Sequence, residues 1–77
     1  MHEACVGAEL FLEPPGSSGL RELVTIADRS GISWSMPGFF TLAEGARVFH
    51  VVVAAEHKFE LAAAFTAQGW RCRERPA

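Results

Sequence analysis

Apolar and polar positions alternate near the start of the chain, with Ala8, Leu10 and Leu12 set against Glu9, Phe11 and Glu13. A period of two predicts a half-buried strand over Cys5 to Glu13, preceded by a short lead-in at residues 1–4. Pro14, Pro15 and Gly16 end it, since proline lacks a backbone donor and glycine lets the chain turn. From Leu20 the spacing becomes helical, with Leu20, Leu23, Val24 and Ala27 on one side and Arg21, Glu22, Asp28 and Arg29 on the other. Ser17 or Ser18 is the expected cap of this helix, without a capping box, and Gly31 its stop.

Ile32, Ser33, Trp34, Ser35 and Met36 alternate again, and Pro37-Gly38 interrupts them. Proline is tolerated in a strand chiefly at a sheet edge or a bulge, so this strand belongs at an edge. Phe39 to Leu42 continues it toward a turn at Glu44-Gly45. Arg47 to Ala55 carries β-branched residues on both faces, as a central strand does. A second helix begins at Glu56-His57, with Phe59, Ala62, Ala63 and Thr66 in one row and Leu61, Phe65 and Gln68 in the next, and stops at Gly69. Trp70 to Glu74 alternates as a closing strand.

The order strand, helix, strand, strand, helix, strand predicts an α+β fold of the ferredoxin-like βαββαβ kind. Right-handed crossovers give a four-stranded antiparallel sheet of order 4-1-3-2 with both helices on one face, and place the Pro37 strand at its edge. Ala8, Leu10, Leu12, Ile32, Trp34, Met36, Phe49, Val51, Val53, Trp70 and Cys72 are expected toward the helices. Glu9, Phe11, Glu13, Val48, His50, Val52, Arg71, Arg73 and Arg75 fall on the open face, glutamates across from arginines. Phe11, Val48 and Val52 there, with Phe39 and Phe40 near the edge, are more apolar than a solvated face needs and point to a contact surface.

With 49% hydrophobic and 21% charged residues, 77 residues make one globular domain, 1–77. A net charge of −2 argues against nucleic acid, whose binding rests on Lys and Arg contacts to phosphate. No apolar run spans a bilayer and Met-His-Glu-Ala-Cys has no basic leader, so no membrane partner and a cytoplasmic location are expected. Cys5 and Cys72 are expected as buried or half-buried free thiols. Together with His2 and His57 they lack metal-ligand spacing, so neither metal nor cofactor is expected. His50 is a lone histidine open to either a hydrogen-bonded or a ligand role. No nucleophile-base pair is evident, so the chain is read as no enzyme.

Leu10-Phe11-Leu12-Glu13-Pro14-Pro15-Gly16 leading into Leu20-Arg21-Glu22-Leu23, then Gly31-Ile32-Ser33-Trp34, and finally Gly69-Trp70 carry a resemblance. Over nearly its whole length the chain resembles an ACT domain, a small regulatory module attached to many enzymes of amino-acid metabolism. The resemblance implies a homodimer holding an amino acid at Gly16, Ser17, Ser18, Gly19, Leu20, Ile32 and Ser33, and a partner enzyme of amino-acid metabolism. Three residues separate Gly16 from Leu20 where the family usually has one, and Ser33 stands at the family's asparagine. The turn also opens a helix, where free N–H groups and the helix dipole favour an anion. An interaction or oligomerisation module without ligand is the alternative reading. A small-anion binder or hydrolase using Arg71, Arg73 and Arg75 is a third.

Overall fold

The computed structural model describes residues 7–75. Strand β1 (Gly7–Glu13) leads to helix α1 (Leu20–Ser30), strands β2 (Trp34–Thr41) and β3 (Arg47–Ala54), a 3₁₀ turn (Ala55–His57), helix α2 (Lys58–Ala67) and strand β4 (Arg71–Arg73). All pairings are antiparallel, and the sheet order β2-β3-β1-β4 is the expected order read from the other edge. Cys5, His2 and the predicted lead-in lie outside the described residues.

Pro37 sits on the edge strand, and pairing slips there: Ser35 faces Val52, but Gly38 faces His50. Three steps along β2 match two along β3, which is a bulge of one residue. It inverts the alternation beyond it. Trp34 shares the helix side with its partner Val53, whereas past the bulge the odd-numbered Phe39 does so beside Phe49, and Phe40 turns to the open face opposite Val48.

The core lies between the sheet and both helices. Leu10, Leu12, Phe49, Val51 and Val53 from the sheet meet Leu23, Ala27, Leu61 and Phe65 from the helices, with Ile32 and Trp70 closing the ends. Trp70 meets the Phe65 ring edge-on at 5.1 Å. Burying side chains of this size stabilises by about 1.5 to 3 kcal/mol each, against the entropy of ordering the chain.

Five side chains differ from expectation. Leu20 is 49% exposed, because Leu23 and Ala27 take the inner stripe of α1. Phe59 is 83% exposed. It lies two positions before Leu61, about 200° around the helix, so the Leu61–Phe65 row that enters the core turns Phe59 outward. Cys72 shares Leu12's side of the sheet but is exposed, since β4 is a three-residue strand at the sheet margin. Phe11 and Val48, on the open face, are buried.

Candidate functional site

The turn after β1 is built locally. Ser18 N–H donates to the Pro15 carbonyl at 3.0 Å, and Gly16 takes φ +53 between them, a positive φ at the first central position that glycine supplies without strain. On the other side, Gly69 comes so close that a Cβ there would stand 3.6 Å from Pro15.

Neither Ser17 nor Ser18 caps α1. Gly19 is the N-cap, and its N–H donates to Glu22 Oε1 at 2.8 Å. This is the carboxylate half of a capping box; glycine has no side chain to supply the other half. The N–H of Gly19, followed by that of Glu22 itself, holds the Glu22 carboxyl below its ordinary value. The positive end of α1 is thus served by the chain's own carboxylate, which competes with an outside anion. A second cation stands close by, since a Cβ on Gly19 would lie 3.4 Å from Arg47 Nη2. Arg47 also lies over the Phe49 ring at 5.9 Å.

Gly16, Ser17, Ser18, Gly19 and Leu20 gather at this end. Ile32 and Ser33 do not join them, because they follow the C-terminus of α1, an eleven-residue helix about 16 Å long. Ile32 is buried in the core and Ser33 is exposed. Within one chain the two groups stand at opposite ends of α1, so a groove containing both needs a second copy.

Beside the turn lies a hollow that the sequence reading missed. A groove of about 480 Å³ runs between α1 and α2, with Arg21, Ile26 and Arg29 on one wall, Ala64 and Ala67 on the other and Trp70 at its base. Both arginines belong to the polar set, with Glu22 and Asp28, expected on the outer side of α1. The available signal was the alanine-rich sequence of α2, whose small side chains leave room between the helices. Among the described residues, no carboxylate comes within ion-pair reach of Arg21 or Arg29. Asp28, adjacent in sequence, instead accepts from the Trp34 indole N–H at 3.1 Å.

The open face of the sheet is closed by its own side chains. Phe11 stacks on His50 with ring centroids 4.7 Å apart, lies 6.0 Å from Phe40 and is overlaid by Arg75 at 5.9 Å. Arg75 is anchored by Glu9 at 3.1 Å, and Arg73 by Glu13 at 2.9 Å with Glu44 at 3.7 Å. His50 Nε2 is shielded from solvent 3.0 Å from Glu9 Oε2, without the geometry of a hydrogen bond. A second hollow between β4 and the β2–β3 turn, about 590 Å³, is larger than the helix groove, but Arg73 on its rim is already neutralised. Among the described residues no group of three or more His, Cys, Asp or Glu is placed to hold a metal ion, and no helix is long and apolar enough to cross a membrane. No protein-family model matches the sequence, and no curated protein or solved structure matches the chain.

Proposed function

We propose that the chain is a non-catalytic, ferredoxin-like module that works by association, as a homodimer. The observation that carries this reading is the outer side of α2. Seven of its ten residues are apolar, they fall all round the helix, and Phe59 is left 83% exposed. A helix apolar all round is ordinarily covered on every side, and here only the Leu61–Phe65 side is covered. Light scattering across a concentration series tests the reading: a dimer is expected, and a monomer at every concentration sinks it.

One observation favours a second reading, the ACT-like regulator that binds an amino acid and controls an enzyme of amino-acid metabolism. The Arg47 guanidinium beside Gly19 offers a carboxylate a charged partner at the turn of Gly16 to Leu20. This reading requires a dimer that sets Ile32 and Ser33 of one copy beside the turn of the other. Thermal shift against the twenty amino acids tests it, since a ligand at a hundred times its Kd adds about 2.7 kcal/mol of stability. A shift that Arg47→Ala abolishes supports this reading. No shift with any amino acid at millimolar concentration leaves the module without a ligand.

A further inference from the structure

Resting on the dimeric reading above, we infer that the dimer forms through the helical layer, with Phe59 of each copy seated in the α1–α2 groove of the other. The knob and the groove lie on one face. Phe59, Ala63 and Ala67 recur at intervals of four along α2, and Ala67 lines the groove, so the knob stands about 12 Å from the groove along the same stripe. Two copies with their α2 helices antiparallel about a two-fold axis bring each Phe59 over the partner's groove. Such a contact is self-complementary and closes at two subunits. Ala63, midway along the stripe, lets the helices approach closely where they cross.

The charges match as well as the shapes. Glu56 and Glu60 flank Phe59, with side chains 79% and 65% exposed. Arg21 and Arg29 flank the groove eight residues apart, about 12 Å along α1. His57 lies between the two glutamates, at 3.6 and 3.5 Å. The one acid on the groove wall, Glu22, accepts its hydrogen bond from Gly19 N–H, and among the described residues no carboxylate forms a direct ion pair with either arginine. An aromatic anchor in a pocket with a charged rim is the usual form of an interface hot spot.

Sedimentation equilibrium on the whole chain is the test. Phe59→Glu is expected to weaken the dimer by about thirtyfold or more. Because Phe59 is exposed, circular dichroism should show an unchanged fold. Two charge-reversed chains sharpen the result. A chain with Glu56→Arg and Glu60→Arg, and another with Arg21→Glu and Arg29→Glu, should each be monomeric alone and form a heterodimer when mixed. A wild-type dimer unmoved by any of these changes places the interface elsewhere and overturns this inference, while the dimeric reading stands. Failure of the two monomeric chains to associate overturns the proposed pairing of Glu56 and Glu60 with Arg21 and Arg29. A wild-type monomer at every concentration overturns both readings.

Discussion

The two outer surfaces of the molecule invert what their residue types suggest. The open face of the sheet carries Phe11, Phe40 and Val48, yet Phe11 is buried because Arg75, His50 and Phe40 surround its ring, and Val48 is buried opposite Phe40. The helical layer is patterned on α1 with charged residues, yet it leaves Phe59 in solvent and a groove between two arginines. A long arginine side chain can lay its stem and guanidinium over an aromatic ring, whereas alanines leave the space beside them unfilled. Exposure is decided by what the neighbours can cover, not by how many hydrophobes a face contains.

The largest test contrasts one residue type within one helix. Phe65→Ala is expected to destabilise by about 3 to 5 kcal/mol and Phe59→Ala by less than about 0.5 kcal/mol. Both are read as urea midpoints at unchanged slope, at a chain concentration low enough to remove dimerisation. Comparable losses would mean that Phe59 is covered within the monomer. On the sheet, Phe11→Ala should cost about 3 kcal/mol, as a core phenylalanine does. A loss near zero would make that face an open patch and break the contrast.

Arg75→Ala removes the cover and the Glu9 pair together, both at the surface, so a loss of up to about 1 kcal/mol is expected. The accompanying sign is a rise in binding of an apolar dye such as ANS, as Phe11 is uncovered. The smallest effect concerns Glu22. Its carboxyl is held below the ordinary 4.5, so its contribution is fully present above that value and is lost as pH falls through the lowered one. Glu22→Gln should therefore lower stability at neutral pH and flatten the acid limb of the stability profile. An unchanged acid limb would mean the carboxylate contact to Gly19 N–H does not persist in solution.

Local chemistry made much of this fold legible. Pro37 placed β2 at the edge, Gly31 ended α1, and the glutamate–arginine pairing across β1 and β4 followed from strand order. What stayed hidden depends on neighbours remote in sequence or on a single extra residue. The bulge at Pro37 exchanged the sides of Phe39 and Phe40, a phase change that alternation alone does not reveal. Gly19 rather than a serine became the cap because Glu22 sits three residues on and reaches its N–H. The turn at Gly16 to Leu20 was visible from its prolines and glycines. Neither Arg47 beside it nor the groove between α1 and α2 was, because each exists only once separate elements are packed.

The bulge also bears on how far assembly can proceed. A regular edge strand offers its free N–H and C=O groups to any passing strand, and sheets can then extend from chain to chain without limit. At the β2 edge the extra residue breaks the spacing of those groups, and Pro37 withholds one donor altogether. Polymerisation by strand addition along β2 is discouraged in the same stroke that shapes the edge, which favours finite particles over fibres.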